Sequence, residues 1–259
     1  MRFIDTHSHL DFEQFDADRE QVIQRAQDAG VSHIVVSSIT ARNWDSVKQL
    51  TEKHQSLHAA YGLHPVFIKA HKAAHIEQLR QLLAQSNAVA IGECGLDFFI
   101  KDINDEERQQ QLTFFIEQLK LAQEFDLPLI IHARKSLDIV LKHLRQHTGV
   151  RGVIHSFSGS EQQAKQLIEL GFYLGFGGPV TYTRAQRLHR LIQALPLDAL
   201  VLESDAPDQP DAAHHGMRNE PAYLPLIAQT MAELRDCNLL EIAAKTTHNA
   251  QQLFNLDLC

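Results

Sequence analysis

Short apolar runs of strand length alternate with longer stretches of helical periodicity along nearly the whole chain, the order that implies βαβ units and a parallel sheet. The strand-like runs fall at 2–7, 33–38, 58–63, 89–92, 129–132, 152–155, 172–176 and 200–203. Eight such units, each spaced as one strand, one helix and two loops require, predict an α/β fold of the (β/α)₈ or TIM-barrel type, with residues 1–259 forming one domain. The intervening helices have readable ends. Asn104 can cap a long helix whose Leu112, Phe115, Ile116, Leu119 and Ala122 recur on one face. Ser160 with Gln163 reads as a capping box, and Gly30 and Gly171 stop the helices that precede them. After the eighth strand, helical stretches at 224–234 and 239–253 complete the outer ring.

An open doubly wound sheet would show the same alternation. Against it, Gly175-Phe176-Gly177-Gly178-Pro179 lacks the third glycine of a dinucleotide fingerprint, and no phosphate loop of the G-x-x-x-x-G-K-[ST] type occurs. Composition changes the picture little: 44% hydrophobic and 22% charged residues describe an ordinary globular chain. Charge changes it more. A formal net charge of -8 argues against broad binding to a polyanion, so any nucleic-acid contact must be local or carried by metal ions. Cys94, Cys237 and Cys259, odd in number and without ligand-like spacing, fit a reducing compartment, and no apolar segment of signal-peptide or membrane-spanning length is present. The expected location is cytoplasmic.

Candidate chemistry gathers at the strand ends. His7 and His9 stand two residues apart at the end of the first strand, so both imidazoles can aim at one point in the C-terminal mouth of the barrel. Glu93, His132 and His155 follow the apolar runs of the fourth, fifth and sixth strands, and Asp205 follows the eighth. Each alone fits a satisfied polar residue at a strand end, but several together at one mouth make a metal site. Glu203, two residues before Asp205, lies farther from the mouth and serves either behind the ligands or in structural hydrogen bonds. Imidazole and carboxylate without thiolate suit zinc, manganese or magnesium and do not choose among them. Six protein ligands exceed what one catalytic ion with open positions can use, so two divalent ions are expected. Glu93 can bridge them, with His7, His9 and Asp205 on one ion, His132 and His155 on the other, and a hydroxide between as nucleophile. Asp205 is also expected to orient or deprotonate the attacking water.

The same motifs resemble the TatD family of metal-dependent deoxyribonucleases within the amidohydrolase superfamily. The resemblance rests on Asp5-Thr6-His7-Ser8-His9, Gly62-Leu63-His64-Pro65, Ile91-Gly92-Glu93-Cys94-Gly95-Leu96-Asp97, His155-Ser156-Phe157-Ser158-Gly159, Glu203-Ser204-Asp205-Ala206-Pro207, and Asn249 with Leu253-Phe254. The segment from Gly177 to Tyr182 resembles the YjjV-type branch. Cys94 and Ser204 depart from the family's commonest isoleucine and threonine, at positions that are not proposed ligands. The resemblance implies a barrel, a pair of divalent ions, and phosphodiester hydrolysis with DNA as substrate, in some members as an exonuclease.

His64 can donate to a substrate phosphate or be a hydrogen-bonded strand-end residue, and Arg134 and Lys135 can meet a phosphate or form a solvated helix start, the latter more so for Lys135. Cys94, next to Glu93, should point toward the helices, and His71, His75, His214 and His215 read as surface. The leading expectation is a phosphodiesterase acting on DNA or RNA. A metal-dependent hydrolase of a small amide, ester or phosphoester keeps the same ligands, since barrel loops can change without them. A barrel that binds metal or protein without catalysis has no physical need for the complete ligand set. No protein partner and no membrane association are expected.

Overall fold

The computed structural model describes residues 1–256. Strands β1 (Phe3–Ser8), β2 (Val31–Ser37), β3 (Leu57–Tyr61), β4 (Ala90–Asp97), β5 (Leu129–Arg134), β6 (Gly152–Ile154), β7 (Phe172–Phe176) and β8 (Leu200–Leu202) pair in sequence order, every ladder parallel. Consecutive order excludes the doubly wound sheet, which reverses direction at a switch point. The strands alternate with helices α1 (Arg19–Asp28), α2 (Trp44–Lys53), α3 (Ala74–Gln85), α4 (Asp105–Phe125), α5 (Leu137–Gln146), α6 (Glu161–Glu169) and α7 (Gln186–Ala194), and α8 (Leu224–Arg235) and α9 (Leu239–Phe254) follow β8. Among the described residues no helix is long and apolar enough to cross a membrane.

Local chemistry sets the helix ends. Asn104 and Glu107 close a capping box at the start of α4, and Ser160 and Gln163 do the same for α6. Gly30 and Gly171 end their helices at φ 88° and 84°, a region where a side chain is strained. Free Cys94 is buried and Cys237 is half-buried, whereas Cys259 lies outside the described residues.

Two apolar layers result. The large one lies between sheet and helices, and takes Phe3, Ile91, Cys94, Leu129, Ile131 and Ile154 from the strands. The small one fills the barrel with Ile4, Val35, Ala60, Ala90, Ile130, Val153 and Val201, backed by Leu253 and Phe254 at the end of α9 and by Leu256 just beyond it. The barrel closes between β1 and β8 through side chains and the residues just beyond the strands. Thr6 Oγ1 donates to the Leu202 carbonyl (2.9 Å), Asp5 accepts from the Ser204 amide (2.8 Å), and the Asp205 amide donates to the His7 carbonyl (2.9 Å).

β4 and β5 run farther than the apolar pattern suggests, to Asp97 and Arg134, because residues 94–97 and 131–134, apolar and polar in alternation, continue one ladder. The ladder shifts register between Ile91 and Cys94. Both of these residues face the helix layer although strict alternation over three positions would put them on opposite sides. The extra residue turns Glu93 into the mouth. β1 also shifts register between Asp5 and Ser8, the stretch of the strand that carries His7.

Candidate metal centre

Buried in the mouth, Glu93 sits at the middle of the cluster and presents its two oxygens to different neighbours. Oε2 lies 3.1 Å from His7 Nε2 and 3.4 Å from His9 Nε2, and the same two nitrogens lie 3.3 and 3.7 Å from Asp205 Oδ1. Oε1 lies 2.9 Å from His64 Nε2, 3.0 Å from His132 Nδ1 and 3.9 Å from His155 Nε2, which is also 3.9 Å from Asp205 Oδ2. All six residues singled out as ligands from the sequence therefore converge, and His64 joins them. Three groups of donor atoms lie close enough together to share an ion: His7, Glu93 and His155; His7, His9 and Asp205; and His64, Glu93 and His132.

What backs each imidazole determines which nitrogen is free. His9 Nδ1 faces the Ser37 carbonyl at 2.9 Å, which only accepts, so this nitrogen carries a proton and it is Nε2, facing the cluster, whose lone pair becomes free when the ring is neutral. His132 is held the other way round: its Nε2 meets Asp97 Oδ2 at 2.9 Å, leaving Nδ1 to face Glu93. His155 Nδ1 lies 3.2 Å from the Glu203 carboxylate, which favours a proton there and a lone pair on Nε2. His7 Nδ1 sits 3.0 Å from the Ser37 hydroxyl, a group that can donate or accept. His64 differs from these. Its Nδ1 accepts the Val66 amide (3.1 Å), so its proton is on Nε2 and it is arranged as a donor toward Glu93 rather than as a neutral ligand.

Electrostatics follow from packing acids and imidazoles together out of water. Burial alone would push His7 and His9 down from 6.5, but the Glu93 and Asp205 carboxylates outweigh it and raise both to about 9. Burial also opposes ionisation of Glu93 and Asp205, and the surrounding imidazoles overcome it and hold both carboxyls below the usual range. For His64 burial wins, lowering it to about 4, which fits a neutral donor. Asp5, fully buried, is raised to about 7 by desolvation despite its bonds from Ser204 and His7.

The donor set fits divalent ions. His7 Nε2 is buried and makes no hydrogen bond although two carboxylate oxygens lie within 3.3 Å, an orphan that a cation between them would satisfy. Nitrogen and oxygen donors without sulfur suit zinc, manganese or magnesium.

Other predicted residues take definite places. Arg134 is exposed at the rim, with its guanidinium 4.0 Å from the centre of the Phe99 ring. Cys94 points into the helix layer, where burial pushes its thiol up. Glu203 lies behind the cluster, in the cradle left by Gly175, where an added Cβ would come within 2.1 Å of Oε2, and its Oε1 accepts the Ser156 amide at 2.6 Å. Of the histidines read as surface only His215 is exposed. His71, His75 and His214 are half-buried because each finds a polar partner: His71 Nε2 meets the His64 carbonyl at 2.8 Å, His75 Nδ1 accepts the Lys72 amide, and His214 meets Asp211 and stacks on Tyr223.

Several positioning residues escape the sequence pattern. Asp97 orients His132, and its signal was available, since counting by twos from the inward Gly95 puts it in the mouth. Gln209 donates to Asp205 Oδ2 and accepts from the Ser156 hydroxyl. Buried Gln118 and Gln111 on α4 clamp the chain beside the cluster. Gln118 bonds both backbone groups of Leu63, next to His64, and Gln111 accepts the Asp97 amide at 2.9 Å. A glutamine on a helix carries no signal of this in one sequence.

Comparison with known proteins agrees with the geometry. The family described as TatD related DNase matches residues 4–255. The uncharacterized metal-dependent hydrolase YjjV of Escherichia coli (strain K12) is 44% identical over 258 residues, covering 98% of each chain. The crystal structure of that TatD homologue superposes with a TM-score of 0.93 over 99% of both chains, at 41% identity. A protein of Pantoea sp. (strain At-9b) named 3'-5' ssDNA/RNA exonuclease TatD is 35% identical over 251 residues, 94% of this chain and 95% of its own length.

Proposed function

Because this chain belongs to the TatD related DNase family and is a metal-dependent hydrolase, we propose that it hydrolyses phosphodiester bonds of single-stranded DNA or RNA at a site for two divalent ions bridged by Glu93. The observation that carries this reading is the division of Glu93: Oε2 faces His7 and His9, and Oε1 faces His132 and His155. One carboxylate with imidazoles on both oxygens, His64 joining His132 and His155 at Oε1 as a donor, is an arrangement that suits two neighbouring cations. His7, His9 and Asp205 would hold one ion and His132 and His155 the other. The geometry also allows His155 to be shared with the first, since it groups with His7 and Glu93.

Divalent ions in this site would supply Lewis-acid stabilisation of phosphoryl charge and lower the pKa of a water molecule. The chain's own residues do the rest. Asp205, with Oδ2 tied to Gln209, accepts the proton of the attacking water. His64 offers its Nε2 proton to a phosphoryl oxygen in exchange for Glu93. Arg134, stacked on Phe99, presents a guanidinium fork at the rim, the geometry suited to a phosphate. The preference for nucleic acid over a small ester draws support from the similarity to the Pantoea protein named as an exonuclease.

The test is incubation of protein stripped of metal, then reloaded with zinc, manganese or magnesium, with single-stranded DNA, single-stranded RNA, a duplex and a panel of small esters. Release of nucleotides only in the reloaded samples is expected. Full activity in protein shown by elemental analysis to be metal-free removes the two-ion reading, and turnover of small esters alone moves the substrate class.

A further inference from the structure

Next to the metal-binding cavity, of about 570 Å³, a second trough of about 700 Å³ leaves the mouth on the β5–β6 side. The two share Ala133, Arg134 and Ser158 as a common wall, so a ligand extending beyond the cluster in this direction enters the trough directly. Its charge is unlike that of the chain. Arg134, Lys135 and Arg187 line it against one carboxylate, Asp138, in a protein of formal net charge -8. Asp138 already accepts a hydrogen bond from Gln163, which blunts its repulsion of an anion.

The backbone adds to this. α5 opens into the trough through Ser136, Leu137, Asp138 and Ile139; the Ile139 amide bonds the Ser136 carbonyl, and no side chain caps the amides before it, since the Ser136 hydroxyl donates to the Leu96 carbonyl instead. Uncapped amides at the positive end of a helix favour an anion. The start of α6, by contrast, is already closed by the Ser160 box. Lys135 stands at φ 56°, a left-handed conformation that is uncommon for a residue with a side chain and that recurs at binding sites. Arg134 and Lys135, for which the sequence offers phosphate contact or a solvated helix start, thus converge with Arg187 and a helix terminus on one cavity.

We propose that this trough is a second phosphate subsite, holding the backbone of a single-stranded nucleic acid one or more linkages away from the phosphodiester being cut. The proposal rests on the phosphodiesterase reading above and adds the direction in which the strand leaves the cluster. It assigns Lys135 and Arg187 to substrate binding, with Arg134 at the junction of the two cavities. It also explains how an acidic protein handles a polyanion: this trough sets three basic side chains against one carboxylate.

The test is direct binding of a fluorescein-labelled single-stranded DNA decamer, read by anisotropy across a salt series in the presence of chelator, so that nothing is cleaved. Each lost phosphate contact on a single strand lowers the slope of log K against log salt by about 0.7. The Lys135→Gly/Arg187→Ala variant, in which glycine suits the left-handed backbone, should lose about 1.4 from the slope and bind about tenfold more weakly at low salt. Lys48→Ala/Lys120→Ala removes equal charge from the outer helices and should bind as the parent does. A trough variant with the parent's slope and affinity overturns the subsite, as does equal weakening in both variants. Failure of the parent protein to cut the same decamer once metal is restored would instead count against the hydrolytic reading and leave the binding result standing.

Discussion

Replacing Asp97 with asparagine should weaken one metal site about 10- to 100-fold and leave the other nearly intact. The Asp97 side chain accepts two hydrogen bonds, from the Phe99 amide at Oδ1 (2.8 Å) and from His132 Nε2 at Oδ2 (2.9 Å). An asparagine has one oxygen. If that oxygen stays with the Phe99 amide, the new NH₂ faces His132 Nε2, and two donors cannot share the contact. His132 must then move its proton to Nδ1, the atom 3.0 Å from Glu93, and lose the lone pair that would hold an ion. If the amide flips, the half-buried Phe99 N–H is left without an acceptor. Either outcome costs about 1–3 kcal/mol, the penalty for an unsatisfied donor. At about 1.4 kcal/mol per factor of ten this is the range typical of residues that orient metal-binding histidines. Competition titration against a chromogenic chelator, using zinc as the reporter metal, resolves the two sites as separate phases. Two phases unchanged, or two weakened equally, would refute the argument that Asp97 fixes the His132 tautomer for one ion.

Asp205→Asn should lower kcat about 10²–10⁴-fold at saturating metal with a much smaller change in KM, because an amide cannot take up the water's proton; a near-normal kcat with an unchanged acid limb of the pH–rate profile removes that role. Metal uptake should release protons and tighten as pH rises. His7 and His9, ordinarily near 6.5, hold protons to about 9 without an ion, so a cation must displace them below that pH. For the ion-free protein the sign is opposite: the raised pKa values contribute stability fully present below about 6.5 and lost as pH climbs to about 9, visible as a falling Tm with pH over that window. Gly175→Ala should destabilise the protein by about 1–3 kcal/mol in urea unfolding, since the new methyl must displace the Glu203 carboxylate and break its bond from the Ser156 amide; wild-type stability would mean that Glu203 can move freely.

Most of the architecture and of the candidate metal cluster is legible in the pattern because both largely follow from alternation. His132 and His155 lie two residues past the inward Ile130 and Val153, and His64 four past the inward Ala60, so counting by twos puts each in the mouth. Glu93 does not obey that count from Ala90. It arrives by a register shift, which leaves no trace in hydrophobicity; what the sequence offers instead is its position just after an apolar run. The ends of β4 and β5 extend past the apolar runs because polar Glu93, Asp97, His132 and Arg134 are interleaved there with the core-facing Cys94 and Leu96, which breaks up the apolar run. Gln111, Gln118, Ser37 and Gln209 act through single hydrogen bonds to backbone or ligand, and such pairings depend on distances across the fold that residue type does not encode. The imidazole tautomers belong to the same class. They are set by Asp97, Glu203 and the Ser37 carbonyl, and only their placement separates His64, a donor, from the histidines with a free lone pair.

The bridging role of Glu93 is tested most directly by metal content per chain after dialysis, measured by elemental analysis on the parent protein, Glu93→Ala and His132→Ala. The parent should retain two equivalents. His132→Ala should retain close to one, because His7, His9 and Asp205 still surround Glu93 Oε2. Glu93→Ala should retain well below one, because removing a carboxylate whose two oxygens serve opposite halves of the cluster weakens both halves at once. Equal losses in the two variants, or a parent that binds a single equivalent under saturating zinc or manganese, would contradict the two-ion account.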